Sequence, residues 1–244
     1  MQVDSPSVLN VVFEDERLLV VDKPADLVCH PTKGDAFSSL ISRLRIYFGE
    51  DSKPQMINRL DRETSGLVMV AKNPQVAREL RILWEKRQVR KVYQAIVHGT
   101  PAPDRGIVSA TLGPDSDSPV AIKDKVISIN ESTCRTHYRV LKTFARIGEV
   151  FSLLEVTPET GKKHQIRIHL AHIGNPIVGD KLYGHDENCY LDFVVGKLSP
   201  SQKEKLILPN HALHAQKLAF TAFGKDWEFH SNPEIWFSQF IGDQ

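Results

Sequence analysis

The sequence predicts an α+β fold in which a mixed, mostly antiparallel central β-sheet is flanked by helices. Two observations support this prediction. Apolar segments of strand length recur along the chain and are joined by short turns, and few segments between them show the apolar spacing of a helix. Strands that are joined by short turns usually pair antiparallel. The pattern therefore favours an α+β protein.

The first hundred residues contain four apolar runs of strand length and two segments with helical spacing. The strands are predicted at 9–13, 18–21, 67–71 and 92–97. One helix is predicted at 38–48, where apolar residues recur every three to four positions. The second is predicted to begin at Pro74, with Asn73 as its N-cap, and to end near Lys86. Asn can accept hydrogen bonds from the first helical turn, and Pro fits the first helical position.

The rest of the chain continues this pattern. Further strands are predicted at 107–112, 120–122, 134–143, 150–156, 212–220 and 227–230. Helices are predicted at 161–173, ending at Gly174, and at 200–206, where Ser199 is the N-cap and Pro200 the first helical residue. No internal repeat or long linker is present, and 244 residues fit one large domain or two small ones.

The composition is that of an ordinary globular protein, with 41% hydrophobic and 25% charged residues. The three cysteines are widely spaced and form no CxxC pair, which predicts free thiols in a reducing compartment. The first residues lack the basic and apolar segments of a secretion signal. No apolar run approaches the ~20 residues that a membrane-spanning helix needs. We therefore expect a cytoplasmic protein without a membrane span.

The net charge is only +1, which on its own argues weakly against a nucleic-acid-binding protein. An enzyme with a small footprint needs only a local basic patch. The basic residues that folding could bring together are Lys53, Arg59, Arg62, Arg87, Arg90, Lys91, Lys162, Lys163 and Arg167. Separate solvated faces are the alternative interpretation of these charges.

The most informative segment is residues 58–67, with the sequence NRLDRETSGL. Asp61 could simply cap a turn through its carboxylate. That interpretation suits an Asp-Gly pair better, because here the acid precedes Gly66 by several residues and has Arg59 and Arg62 at short range. Clustered Arg lowers the pKa of a carboxyl group and keeps it ionised, as a nucleophilic or base-acting Asp needs.

Residues 59–67 closely resemble the RLDxxTSGL signature of the RluA-type pseudouridine synthases. The resemblance implies that Asp61 is the catalytic aspartate. Asn58 stands where the family usually has His. The same resemblance implies one α+β catalytic domain with a long central sheet and an RNA cleft.

A second segment, residues 91–99 (KVYQAIVHG), resembles the family's KxYxAxVxG motif. The alternation of a strand places Tyr93, Ala95 and Val97 on one face. Tyrosines in strands are mostly packing residues. The resemblance instead implies that Tyr93 contacts the target base, by stacking or by proton transfer at its carbon.

A third segment, residues 161–170 (GKKHQIRIHL), resembles GRTHQIRxHL, and residues 174–184 (GNPIVGDKLYG) resemble GxPIxGDxxYG. Arg167 lies one residue off the apolar stripe of the predicted helix, so it can reach a cleft from the edge of that stripe. The resemblance implies that Arg167 is the ion-pair partner of Asp61, and such a bidentate pair is short and geometrically defined.

The resemblance extends from about residue 18 to residue 220. It includes residues 21–24 (VDKP), similar to the family's NKP turn, and residues 213–220 (LHAQKLAF), similar to the strand that closes the family's sheet. The residues predicted to bind RNA are Asn58, Arg59, Arg62, Thr64, Lys91, Lys162, Lys163, His164 and Gln165. Lys162 and Lys163 stand where the family often has Arg-Thr.

The activity that the resemblance implies is isomerisation of a uridine in RNA. The N1–C1′ bond would be cleaved, the base rotated and the bond remade through C5. Because no net redox or hydrolysis occurs, no cofactor, ATP or metal is expected. A base inside an RNA stem is inaccessible, so the nucleotide must be flipped out or lie in a loop. We expect a monomer with one catalytic domain over residues 1–244, no S4-like RNA-binding domain, and a tRNA or ribosomal RNA stem-loop as partner.

Three other functions remain open from the sequence. A catalytically silent RNA-binding or ribosome-assembly protein could dispense with Asp61. A hydrolase with an Asp nucleophile would need a second acid or base, and no second carboxylate motif stands out. A Zn²⁺ enzyme could use the clustered histidines, but His164 and His169 lie about 140° apart around a helix. No HExxH motif is present either, so no metal site is predicted.

Overall fold

Strands and helices mix along the chain in a computed structural model that describes residues 9–30, 38–49 and 52–242. In chain order the elements are β1 (Val11–Glu14), β2 (Leu18–Lys23), α1 (Leu40–Phe48), β3 (Gln55–Met56), β4 (Ser65–Ala71), α2 (Pro74–Glu85), β5 (Arg90–His98), β6 (Arg105–Pro114), β7 (Asp124–Ser128), β8 (Cys134–Arg146), β9 (Glu149–Pro158), α3 (Gln165–His172), α4 (Asn188–Val194), α5 (Pro200–Leu206), β10 (Leu213–Ala222), β11 (Lys225–His230) and α6 (Ile235–Ile241).

The chain forms two compact units. The first lies within Met1–Lys91 and Ala215–Ile235, and the second within Val92–His214 and Trp236–Gln244. The expectation of a single catalytic domain over residues 1–244 stays a prediction.

In the first unit, the strands follow the order β1-β2-β4-β10, with β3 paired to β4 and β11 paired to β10. Strands β2 and β4 are antiparallel, with Val20 opposite Met69. The strand β4 is buried along its whole length, which explains its apolar run from Leu67 to Ala71. Leu80 of α2 and Trp227 of β11 pack into the same core. Burying each such side chain stabilises the fold by roughly 1.5–3 kcal/mol.

In the second unit, the strands follow the order β5-β9-β8-β6-β7. The neighbouring pairs β5–β9, β9–β8, β8–β6 and β6–β7 are all antiparallel. Ile166 and Leu170 of α3 and Phe237 and Phe240 of α6 pack into the core of this unit. The α+β class and the mostly antiparallel sheet with flanking helices are therefore confirmed.

Two helix starts agree with the cap residues that were predicted from sequence. The Asn73 side chain accepts a hydrogen bond of 2.9 Å from the Val76 N–H, and Pro74 begins α2. Ser199 and Gln202 form a capping box at α5, in which each side chain bonds the other's backbone N–H. Both caps depend on contacts three residues apart, which the sequence displays directly.

Other elements correct the sequence predictions. Residues 120–122 do not form a strand. Val120 is apolar because it packs against Ile168, Leu182 and Tyr183 in a small core cluster. The strand is β7, four residues later. The helix predicted at 161–173 begins only at Gln165. The short elements β3, α4 and α6 were not predicted. Among the described residues, no helix has the length and hydrophobicity needed to cross a membrane.

Candidate active site

The segment 58–67 forms a tight loop that leads into β4. The Thr64 N–H donates to the Asp61 carbonyl at 3.2 Å, which closes a turn directly after Asp61. Gly66 has φ of +110°, and a Cβ at this position would collide with the Ala215 carbonyl. Only glycine satisfies both conditions. The motif thus needs its glycine to bring the loop close to the neighbouring backbone.

Asn58 ties the start of this loop to β4. Its Nδ2 donates to the Leu67 carbonyl at 3.0 Å, and its Oδ1 accepts the Met69 N–H at 2.8 Å. Asn58 is 5% exposed. The amide therefore supplies one donor and one acceptor to the edge of a strand, as a backbone residue would. Contact between Asn58 and RNA stays a prediction.

Two residues of the preceding segment hold the loop from another side. The buried ammonium of Lys23 donates to the carbonyls of Pro24, Leu27 and Arg62 at 2.8–3.0 Å. The Cys29 thiol accepts the Leu60 N–H and donates to the Leu60 carbonyl, each at 3.4 Å. The residues on both sides of Asp61 are thus fixed through their backbone carbonyls.

Lys23 keeps this role although its charge is costly to bury. Burial lowers the pKa of Lys23 to about 8, while nearby acidic groups, including Glu234 and Asp61, oppose that shift. Neither Lys23 nor Cys29 was predicted as a site residue. The one signal in the sequence was the resemblance of residues 21–24 to the family's NKP turn.

The charged side chains of the loop differ in exposure. Asp61 is half-buried, whereas Arg59 and Arg62 are exposed. Arg62 Nε lies 2.6 Å from Asp26 Oδ1 in an ion pair that is open to solvent. Thr64 is buried, at 2% exposure. The predicted residues of this loop are therefore brought together along one turn, with the guanidinium groups on its solvent side.

Tyr93 lies on β5 in the second unit, where the pairing confirms the predicted alternation. Tyr93, Ala95 and Val97 lie opposite Val156, Leu154 and Ser152 of β9, so they share one face. Tyr93 packs against the core of the unit but keeps a partly exposed surface. Its ring is therefore supported on one side.

The turn before α3 holds three more of the predicted RNA-binding residues, Lys162, Lys163 and His164. Lys162 and Lys163 are exposed, and Lys163 pairs with Asp124 at 2.9 Å. His164 has φ of +55°, and its Nδ1 lies 2.9 Å from the Tyr183 hydroxyl. This left-handed conformation ends the turn and explains why the helix begins after the predicted position.

Gln165, the first residue of α3, is buried and saturated with hydrogen bonds. Its Oε1 accepts from the Thr160 hydroxyl at 2.6 Å and from the Lys162 N–H at 3.2 Å. Its Nε2 donates to the Arg135 carbonyl and the Thr136 hydroxyl. The amide thus holds the turn that presents the two lysines, and its contact with RNA stays a prediction.

Arg167, the third residue of α3, is buried and forms a two-pronged ion pair with Asp180. Arg167 Nε lies 2.7 Å from Asp180 Oδ2, and Nη2 lies 2.8 Å from Oδ1. Asp180 was not predicted as a site residue, although it belongs to the GDxxYG segment. The pairing of Arg167 with Asp61 stays a prediction.

Lys91 is a buried member of the predicted RNA-binding set. It is 7% exposed, and its Nζ lies 5.3 Å from the centre of the Trp84 ring. Burial, followed by the charge of Arg87, lowers the pKa of Lys91 from 10.5 to about 8. Between pH 8 and pH 10.5 the Lys91 side chain is protonated in the unfolded chain but largely neutral in the folded one. The unfolded chain therefore binds more protons, and the free energy of unfolding rises with pH.

Lys91→Met removes this titration. Relative to the Met variant, the wild-type protein should gain on the order of 2 kcal/mol of unfolding free energy between pH 7 and pH 9.5. Urea unfolding of both proteins at the two pH values measures the difference. A constant difference across this range would contradict the lowered pKa of Lys91 in the folded protein.

Two of the histidines that could have bound zinc are engaged with hydroxyl groups instead. His164 bonds the Tyr183 hydroxyl, and His169 Nδ1 lies 2.9 Å from the Thr136 hydroxyl. Burial lowers the pKa of His169 to about 4. Within residues 9–30, 38–49 and 52–242, no three His, Cys, Asp or Glu side chains are arranged to hold a metal ion.

Solved structures resemble this fold over nearly its whole length. The human RNA pseudouridylate synthase domain containing 1 superposes with a TM-score of 0.74 at 25% identity, covering 97% of this chain and 89% of the other. The human RNA pseudouridylate synthase domain containing 4 gives a TM-score of 0.70 at 24% identity, covering 96% and 92%. The fold is that of the pseudouridine synthases.

Sequence comparison agrees with the fold. A family model described as RNA pseudouridylate synthase matches residues 17–172. An uncharacterized RNA pseudouridine synthase of Chloroflexus aurantiacus is 41% identical over 168 residues, covering 67% of this chain and 51% of the relative. Ribosomal large subunit pseudouridine synthase D of Nitrosomonas europaea is 35% identical over 217 residues, covering 87% and 58%.

This chain belongs to the RNA pseudouridylate synthase family. It spans a little over half the length of these two curated relatives. The predicted site residues fall in two groups. The first unit contains Asn58, Arg59, Asp61, Arg62, Thr64 and Lys91. The second unit contains Tyr93, Lys162, Lys163, His164, Gln165 and Arg167.

Proposed function

We propose that this protein is an RNA pseudouridine synthase, an isomerase that converts a uridine in RNA to pseudouridine. The observation that carries the proposal is the RLDRETSGL segment at residues 59–67, in a chain that belongs to this family. The segment folds as a turn that three other side chains hold in place. Asn58, Lys23 and Cys29 fix the backbone around Asp61. A catalytic carboxylate needs such support, because small displacements of a reacting group cost large factors in rate.

Asp61 is assigned the covalent or proton-abstracting step, Tyr93 the contact with the target base, and Arg167 the ion pair with Asp61. Three chemical routes fit these roles: attack on C1′ of the sugar, addition at C6 of the base, or a glycal route that begins with proton removal from C2′. Each route ends with loss of the C5 hydrogen and a new C5–C1′ bond. No cofactor or metal is required by any of them.

The proposed substrate is a stem-loop of ribosomal RNA, with tRNA as the alternative. A relative named ribosomal large subunit pseudouridine synthase D matches 87% of this chain, which favours ribosomal RNA. The exposed basic residues of the two site segments are Arg59, Arg62, Lys162 and Lys163. Contacts from these cations to phosphates would make binding weaken as the salt concentration rises. We further propose that the protein acts in the cytoplasm as a monomer.

Release of tritium from the C5 position of uridine tests the proposed reaction. Ribosomal RNA and tRNA labelled at this position, isolated from a deletion strain, should release tritium to water in step with pseudouridine formation. The mass of the RNA should not change otherwise, and release should persist in EDTA. Locking the target uridine into a duplex should slow the reaction, because flipping then costs a few kcal/mol. Folded protein that releases no tritium from either RNA would leave an RNA-binding protein as the better interpretation.

Tyr93→Phe separates two roles of the aromatic ring. The ring still packs on the core of the second unit, so the melting temperature and the RNA affinity should be nearly unchanged. Loss of the hydroxyl should lower the rate of tritium release by about 10²-fold or more, since a general base contributes roughly that much. A rate near that of the wild-type protein would limit Tyr93 to stacking or packing.

A further inference from the structure

The Arg167 guanidinium is held along one edge by a single carboxylate. Nε and Nη2 lie on the same edge of the planar group, and both donate to Asp180, at 2.7 and 2.8 Å. The pair is nearly closed to solvent, with side-chain exposures of 6% for Arg167 and 0% for Asp180. A two-pronged bond of this kind fixes the plane of the guanidinium as well as its position.

Asp180 is itself held by the backbone that follows it. Asp180 Oδ1 accepts the N–H groups of Leu182 and Tyr183, each at 2.9 Å. The Gly184 N–H donates to the Asp180 carbonyl at 3.1 Å, and a Cβ on Gly184 would collide with that carbonyl. These backbone contacts fix the Asp180 carboxylate independently of its bond to Arg167. This geometry explains the spacing of Asp, Tyr and Gly in the GDKLYG segment.

The ring of Tyr183 limits the guanidinium in the remaining direction. Its centre lies 5.0 Å from Arg167 Cζ, a cation–π distance. The ring is fixed in turn, because the Tyr183 hydroxyl bonds His164 Nδ1 at 2.9 Å and accepts the Asp124 N–H at 3.2 Å. Rotation of the guanidinium out of its plane would therefore break two hydrogen bonds and push against a fixed ring.

The charge state of the pair is equally well defined. Burial alone would raise the pKa of Asp180, but the charge and hydrogen bonds of Arg167 outweigh that effect and hold the pKa well below its usual range. Asp180 therefore stays ionised near neutral pH, and Arg167 stays protonated beside it.

We propose that Asp180 is a positioning residue for the isomerisation: it fixes the direction of the Arg167 guanidinium so that the end carrying Nη1 can serve the reaction. Asp180 takes the edge formed by Nε and Nη2, which determines where the Nη1 end points. Asp180 does not touch the substrate in this proposal. The inference rests on the proposed function, because it assigns Arg167 a part in that reaction.

Asp180→Asn tests the proposal, because the amide keeps the size of the side chain but presents an N–H group to one of the Arg167 donors. At saturating RNA the rate of tritium release should fall by about 10²-fold or more, since small displacements of a reacting group have effects of this size. The RNA concentration for half-saturation should change less than threefold. The matched control is Asp186→Asn, an exposed acid two residues after this segment, which should retain the wild-type rate.

A double variant distinguishes positioning from general stabilisation. If Asp180 acts through Arg167, Asp180→Asn combined with Arg167→Lys should be within threefold of the rate of Arg167→Lys alone. Losses that multiply in the double variant would overturn the proposal. So would an Asp180→Asn protein that keeps a rate within threefold of the wild type.

A measurement without RNA keeps this inference separable from the proposed activity. In ¹⁵N-labelled protein, the Nε–H signal of Arg167 is assigned by its disappearance in Arg167→Lys. It should exchange slowly with solvent in the wild-type protein and rapidly in Asp180→Asn. If Asp180→Asn does not fold, Asp180→Glu takes its place in both measurements. Unchanged exchange in the folded variant would overturn the positioning role, whereas a wild-type protein that releases no tritium would overturn the proposed function.

Discussion

Asp61→Asn is expected to reduce pseudouridine formation to background while the protein stays folded and bound to RNA. The amide keeps the size of the side chain but removes the charge that a nucleophile or base requires. The backbone around Asp61 is held by Asn58, Lys23 and Cys29, so the loop should keep its shape. Affinity for RNA should change less than tenfold, or about 1.4 kcal/mol. Tritium release, filter binding and thermal melting measure the three quantities.

Asp26→Asn provides the matched control for this experiment. Asp26 is exposed, pairs with Arg62 at 2.6 Å, and has φ of +64°, a conformation that Asn tolerates. An exposed ion pair of this kind contributes only about 0–1 kcal/mol, so activity should stay within tenfold of the wild type. Wild-type turnover in Asp61→Asn would refute the catalytic assignment. An equal loss of activity in Asp61→Asn and Asp26→Asn would mean that removing any negative charge from this region is enough to lower activity.

The elements that the sequence predicted well are those fixed by neighbouring residues. Asn73 and Ser199 cap helices through bonds to N–H groups three residues away, and both starts were predicted. Strand β4 was predicted at 67–71 because it is buried on both faces and is therefore apolar from Leu67 to Ala71. Val120 shows the limit of this reasoning, because its burial depends on Ile168 and Tyr183, which lie far along the chain.

The candidate site shows the same division. Asp61, Tyr93 and Arg167 were predicted as site residues because local motifs carry them. The groups that hold them were not, since Lys23 meets the Arg62 carbonyl across 39 residues and Cys29 meets Leu60 across 31. No local pattern distinguishes a buried lysine that binds three carbonyls from a surface lysine. Asp180 lay inside a recognised segment, yet only the folded chain shows which side chain it binds.

Arg167 substitutions should have the largest combined effect on stability and activity. Arg167→Met would leave the Asp180 carboxylate buried without its cation, because the Asp180 side chain is 0% exposed. Breaking a buried pair in this way should lower the free energy of unfolding by on the order of 3 kcal/mol. Arg167→Lys keeps the charge and should lose less stability, but an ammonium cannot reproduce the two-pronged bond. We therefore expect both variants to form pseudouridine far more slowly than the wild-type protein, at a residual rate that can still be measured.

Arg139 offers the matched comparison, because it forms an exposed ion pair with Glu155 at 3.2 Å in the same unit. Arg139→Met and Arg139→Lys should each change the free energy of unfolding by no more than about 1 kcal/mol, since solvent screens such pairs. Urea unfolding and tritium release on all four variants separate the two kinds of arginine. If Arg167→Lys kept both wild-type stability and wild-type turnover, the guanidinium geometry would have no part in the reaction. A loss of turnover in a stable Arg167→Lys protein would show that charge alone is not sufficient.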